Sequence, residues 1–229
     1  MKSIAALSLF ALVVIAAPKA AHACGTLHSI SSHDGTQSAY STAGPETGAK
    51  GILLLLAGGG GYLDLDADGC PQKLKGNSLV RKRPLFHDAG YITVLLDAPS
   101  DRHGKAGLGG FRIAEEHASD IGKVIADLRT RGSMPIWLIG TSRGAISASN
   151  AASRLTGESA PDGLILTSPV TSGREGGYKA WVAQTVFSVD LENIRMPVLV
   201  VAHADDKCVR TPPDRAEKIT DETSADREQ

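Results

Sequence analysis

Five short apolar runs set the architecture open to this chain. They are "GILLLLAGGGG" (Gly51 to Gly61), "YITVLLDAPS" (Tyr91 to Ser100), "PIWLIG" (Pro135 to Gly140), "GLILTSP" (Gly163 to Pro169) and "PVLVVAHADD" (Pro197 to Asp206). None alternates apolar with polar residues, so each reads as a strand covered on both faces, as in a parallel sheet. Parallel strands need long crossovers, and helical stretches lie between the runs. "FRIAEEHASDIGKVIADLRTRG" puts Ile113, His117, Ile121, Val124, Ile125 and Leu128 on one stripe, with Gly132 as the expected C-cap. "SRGAISASNAASRL" is rich in small residues, which lets a helix lie close to a sheet, and Leu79 to Ala89 reads as a weaker helix interrupted by Pro84. The expected class is α/β, a mostly parallel central sheet with helices on both faces. A length of 229 residues at 42 % hydrophobic content suits one globular domain. Polar, turn-rich residues 24–50 are expected to add a short antiparallel edge. Residues 170–192 are too long for a plain connection and are expected to form a lid or excursion over the site.

The first 23 residues are a different material. Lys2 is followed by "IAALSLFALVVIAA" and then "PKAAHA" before Cys24. A basic start, a short apolar stretch and an A-x-A site describe a signal peptide over 1–23, leaving a domain at 24–229. The apolar stretch is short for a membrane span and has no later copy, so an exported chain, periplasmic or secreted, is expected to have no span once mature. Export places Cys24, Cys70 and Cys208 in oxidising surroundings. Three is odd, so one cysteine stays free or pairs outside the chain, and all three single pairings remain open. A net charge of −1 without a basic block argues against a nucleic-acid partner. Nothing in the sequence speaks to the oligomeric state.

The chemistry centres on "WLIGTSRGAI" (Trp137 to Ile146), where a G-x-S-x-G pattern ends a strand and opens a helix. A serine on that turn has a strained backbone and a hydroxyl standing clear of the sheet. Flanking glycines let neighbouring chain pass without a Cβ clash. The helix start favours the negative charge that develops during acyl transfer. Ser142 is therefore the candidate nucleophile. Acyl transfer also needs two N–H donors for the oxyanion. Arg143 supplies one position, and the four glycines Gly58 to Gly61 after the first apolar run supply the other, through Gly59 or Gly60. No G-K-[ST] follows these glycines, which argues against a phosphate loop. The run "VLVVAHADDKC" ends in Asp205 and Asp206, where a Ser…Asp…His order places the orienting carboxylate. Asp206 is the preferred one of the two.

The segments "LLAGGGG", "GNSLVRKRPLF", "LDAPSD", "PIWLIGTSRG" and "HADDKCVRTPP" span most of Gly51 to Pro213. Through them the chain resembles the α/β-hydrolase superfamily, and within it a branch of exported bacterial hydrolases. The resemblance implies a serine hydrolase of small-molecule esters or similar acyl substrates. Ser142 is then the nucleophile, Gly59 or Gly60 with Arg143 the oxyanion donors, and Asp206 the acid. Neither a metal nor an organic cofactor is needed. The family's histidine follows one more strand after the acid, whereas no histidine follows His203 here. The sheet is therefore expected to stop at 197–203 with an uncovered edge, without the last strand and helix, and the 229-residue chain is expected to be a poor catalyst or a non-catalytic binding protein. His203, at the end of the acid's own strand, and His103, in "APSDRHGKAGLGG", are the candidate substitute bases, while His87 and His117 fall in helical stretches that suit packing. "DLDADG" (Asp64 to Gly69) copies half of a calcium loop, but Lys75 stands where its twelfth-position glutamate belongs, which favours a plain acidic turn.

Overall fold

A computed structural model describes residues 24–176 and 179–223; the leader assigned to 1–23 lies outside the described residues. The polar start forms a hairpin of β1 (Thr26–Ser31) and β2 (Gln37–Ala43). Next come β3 (Ile52–Leu56), the short helices α1 (Ser78–Arg81) and α2 (Arg83–Asp88), β4 (Ile92–Leu96) and α3 (Glu115–Arg129). Then follow β5 (Ile136–Thr141), α4 (Gly144–Arg154), β6 (Gly163–Thr167), β7 (Val198–Val201) and α5 (Glu217–Glu222). One seven-stranded sheet results, in the order β1-β2-β4-β3-β5-β6-β7. The hairpin is antiparallel and joins β4 antiparallel, while β3 to β7 are all parallel. The carboxyl ends of β3, β4, β5, β6 and β7 therefore lie along one rim, where open α/β sheets bind ligands.

Each apolar run becomes a strand. Leu54, Leu55, Leu138, Leu164 and Leu166 are fully buried. Opposite Leu54 stands Leu138, and opposite Leu138 stands Leu164. The helices α3 and α4 cover one face, where Ile121, Val124, Ile125, Leu128, Ile146 and Ala148 pack into the larger core. Small residues let α4 sit tightly on the sheet, since Ala145, Ala148 and Ala151 have no exposed surface at all. The hairpin is fastened to α3 by His33 Nδ1 against Asp120 Oδ2 at 2.6 Å and by the Tyr40 hydroxyl on the Asp127 carboxylate.

Three expectations need correction. Coverage on both faces holds for β3 and β4 but not for β7, where Leu199 and Val201 are 51 % and 47 % exposed. On that side α1 and α2 cover only the β3–β4 part of the sheet. A groove of about 370 Å³ remains beside it, bordered by Leu53, Trp137, Ile139 and Ile165. Second, α3 ends at Thr130 in a right-handed conformation, so Gly132 is not a left-handed cap, and Ile113 lies before the helix rather than on its stripe. Third, Pro84 does not kink one helix. It sits in the first turn of α2, where its missing N–H leaves no bond unmade, and two short helices meet at Lys82.

The acidic turn at 64–69 is closed on itself. The Asp66 carboxylate accepts from Asp68 N (3.0 Å), Cys70 N (2.9 Å) and Gln72 Nε2 (2.6 Å). Among the described residues no group of three or more His, Cys, Asp or Glu side chains is arranged to hold a metal ion. Nor is any described helix long and apolar enough to cross a membrane. Of the three open pairings the structure forms Cys24–Cys70, and Cys208 is free and exposed. The bridge spans 46 residues and ties the start of the hairpin to the acidic turn. Closing a loop of that length restricts the unfolded chain, so a Cys70→Ser variant is expected to lose about 2–4 kcal/mol. Guanidinium unfolding of the oxidised protein and the variant measures this, and equal midpoints would show that the bridge contributes nothing.

Candidate active site

The elbow is built by two close approaches. Ser142 stands between β5 and α4 with φ +53°, one of few non-glycine residues in the left-handed region. Its N–H donates to Thr167 O (3.0 Å) and its carbonyl accepts from Ala145 N (3.0 Å), which fixes the turn from both sides. A Cβ on Gly140 would lie 2.6 Å from Ala145 Cα, and one on Gly144 would lie 2.0 Å from Leu56 O. Both glycines of G-x-S-x-G are thus required by packing, and together they hold Ser142 at the rim of the sheet. Such a conformation costs on the order of 1–2 kcal/mol for a side-chain-bearing residue.

The glycine loop comes against the same serine. A Cβ on Gly58 would lie 3.1 Å from Ser142 Cβ and 2.9 Å from Thr141 O. The loop turns tightly, with Gly59 at φ +61°, Gly61 at φ +77° and Gly61 N donating to Gly58 O (3.1 Å). Its carbonyls are held from behind. Arg112 Nη2 donates to Ala57 O (3.2 Å) and Gly59 O (3.3 Å), and Leu108 N donates to Gly60 O (2.8 Å). A trans peptide points its N–H opposite to its C=O, so fixing Gly59 O towards Arg112 directs the Gly60 N–H the other way. Among the described residues, the N–H groups of Gly59, Gly60 and Arg143 have no protein acceptor.

Arg112 is a residue the sequence did not disclose. It is 3 % exposed, has no carboxylate partner among the described residues, and donates Nη1 to Ser147 Oγ (2.7 Å) inside α4. Burial, and then the charge of Arg143, lower its pKa to about 9, so it stays protonated at neutral pH. His117 accepts or donates at the same Ser147 Oγ (2.8 Å), and burial first, then the Arg112 charge, lowers its pKa to about 3. It is a neutral core imidazole.

Asp206 and Asp205 separate clearly. The carboxylate of Asp206 accepts from Cys208 N (2.9 Å) and Thr211 Oγ1 (2.8 Å), and these bonds lower its pKa. Asp205 is exposed, and its N–H donates to His203 Nδ1 (3.0 Å). His103 is occupied elsewhere, with Nε2 on Ala98 O (3.0 Å) and its ring stacked on Tyr62 at 4.3 Å. The remaining described histidines bond to Thr42, Asp120, Thr93 and Ser147. Among the described residues, no imidazole hydrogen-bonds to Ser142 or Asp206.

Residues 180–193 make three short 3-10 turns, and Trp181 in the first packs on the loop beside the glycines. A Cβ on Gly109 would lie 2.8 Å from the Trp181 ring. Arg210, after the acid, holds this segment through Val182 O (2.6 Å) and Gln184 O (3.3 Å). Buried Asp97 at the end of β4 accepts from Leu63 N (2.6 Å), Leu65 N (3.1 Å) and Ala98 N (2.8 Å). It anchors the chain leaving the glycine loop, which is the physical role of the "LDAPSD" segment.

In sequence the chain matches no family model and no curated protein. In structure it is similar to solved hydrolases at low identity. A cold-adapted esterase from an Arctic intertidal metagenomic library matches with a TM-score of 0.56 and 16 % identity, covering 86 % of this chain and 81 % of that one. A hydrolase from Pseudomonas aeruginosa gives 0.56 and 15 %, covering 88 % of each chain. A soluble variant of monoglyceride lipase from Saccharomyces cerevisiae, in complex with a substrate analogue, gives 0.58 and 14 %, covering 87 % and 82 %.

Proposed function

We propose that this chain, which has the α/β-hydrolase fold, is an exported serine hydrolase acting on esters or similar acyl bonds. The observation that carries the proposal is the strained Ser142 at the β5–α4 elbow, with the glycine loop pressed against it. Ser142 Oγ attacks the carbonyl carbon. The N–H groups of Arg143 and of Gly59 or Gly60 receive the oxygen as it gains charge, and the positive end of α4 adds to that stabilisation. Asp206, held by Cys208 N and Thr211 Oγ1, is the carboxylate that would orient the base, and Asp205 faces solvent; His203, whose carbonyl accepts from Asp206 N (3.0 Å), is the candidate that would take the serine proton. Export is supported by the basic, apolar and A-x-A pattern of residues 1–23 and by the Cys24–Cys70 bridge, which suits an oxidising compartment.

A second reading, a binding protein on a hydrolase scaffold, is favoured by one observation: no described imidazole hydrogen-bonds to Ser142 or Asp206. A fluorophosphonate probe separates the two. Labelling at Ser142 supports the hydrolase, and well-folded protein that stays unlabelled supports the binding protein.

The assignment of the acid carries its own expectation. Asp206→Asn should lower kcat/KM on a p-nitrophenyl ester by roughly 10³-fold or more, because a misoriented base loses most triad catalysis. Asp205→Asn should change little. The opposite ranking would move the acid to Asp205.

A further inference from the structure

Arg143 brings more than a backbone N–H to the site. Its guanidinium lies over the Trp181 indole, 4.7 Å from the ring centroid, and Lys179 Nζ lies 5.7 Å from the same ring. Arg143 is half-buried, and burial first, then the charge of Arg210, lowers its pKa. Among the described residues none of these three cations has a carboxylate partner, the ion pairs being made elsewhere. The chain has 24 basic and 25 acidic residues, so a basic composition does not account for two unbalanced cations on one ring with Arg210 bonded to the same segment. Arg210 is already engaged, with both terminal nitrogens on carbonyl oxygens. Arg143 is not: it has the ring face, and no hydrogen bond holds its N–H edge among the described residues.

The location matters as much as the charge. Trp181 bridges the Gly109 loop, whose neighbour Leu108 holds Gly60 O, and the residue directly after Ser142. A carbonyl placed between Ser142 and the glycine loop therefore has its substituents near the Arg143 side chain. A guanidinium over an aromatic ring is attracted by the ring without using its N–H donors, which leaves its N–H fork available to a planar anion. One free fork with one charge matches the two oxygens and single charge of a carboxylate.

We infer that the site takes esters bearing a free carboxylate a few bonds from the scissile carbonyl, held by the Arg143 guanidinium. This rests on the reading of Ser142 as the reacting residue. The experiment is calorimetric titration of Ser142→Ala protein, which cannot turn the ligands over through Ser142, with monomethyl glutarate and with neutral dimethyl glutarate. The monoester should bind at least roughly tenfold more tightly, as expected for a charge-assisted bond, and added salt should weaken it. In a Trp137→Phe background, where Trp181 is the remaining tryptophan, fluorescence should change on binding of the monoester. Adding Arg143→Gln should remove the preference, and Arg143→Lys should restore part of it, with folding of each variant checked by circular dichroism. Equal affinity for the two ligands, no detectable binding of either, or a preference that survives in the folded Arg143→Gln protein would each overturn the inference. Fluorophosphonate labelling of the wild type tests Ser142 separately, so the two readings fail by different results.

Discussion

Ser142→Ala removes fluorophosphonate labelling and lowers ester turnover by at least roughly 10³-fold, because no second hydroxyl can take the nucleophile's place in acyl transfer. Thr141, its neighbour, is buried and points into the structure, where its hydroxyl lies 3.4 Å from Ser78 Oγ. The fold is expected to survive. The backbone bonds to Thr167 O and from Ala145 N do not involve the side chain, and alanine bears the left-handed φ no worse than serine does. Stability should stay within about 0.5 kcal/mol of the parent. Paired melting curves and turnover measurements check both halves. Activity at the parent level would remove Ser142 from the mechanism.

Arg112→Met costs both stability and rate. The side chain is buried, so its loss leaves Ala57 O and Gly59 O without their donor and opens a void beside Ser147. Each orphaned buried acceptor costs about 1–3 kcal/mol, which puts the total at roughly 3–5 kcal/mol. The rate effect is more specific. With Gly59 O released, the Gly59–Gly60 peptide can rotate and its N–H no longer stays aimed at the developing oxyanion. A donor that acts in the transition state should show in kcat, by roughly 10²-fold, with KM little changed. Arg112→Lys keeps the charge but not the fork, so it should recover part of the stability and less of kcat. Unchanged kcat in folded Arg112→Met would show that Leu108 N and the Gly61–Gly58 turn hold the loop by themselves.

The parallel sheet was legible in sequence because a strand in the middle of a covered sheet leaves a plain mark: β3 is an unbroken run of Ile and Leu, and β5 and β6 are apolar without alternation along most of their length. The elbow was legible because two close approaches, to Ala145 and to Leu56 O, tolerate no Cβ and so leave a glycine on each side of Ser142. Arg112 left no such mark. Its role comes from reaching Ala57 and Gly59, more than fifty residues earlier, and a lone arginine in "GGFRIAEE" does not announce a buried partner. Trp181 and Arg143 likewise meet only through the tertiary path of residues 180–193. The half-bare β7 was misread because "PVLVV" looks the same whether or not a helix covers its second face.

The left-handed backbone at Ser142 has a consequence for laboratory evolution of this protein. Glycine is the residue that relaxes such a φ, and Ser142→Gly should release on the order of 1 kcal/mol while deleting the nucleophile. A library sorted by heat resistance alone would thus be drawn towards inert sequences at this codon. Any search for hardier variants has to score turnover in the same round, because here the direction of greater robustness and the direction of greater activity point apart.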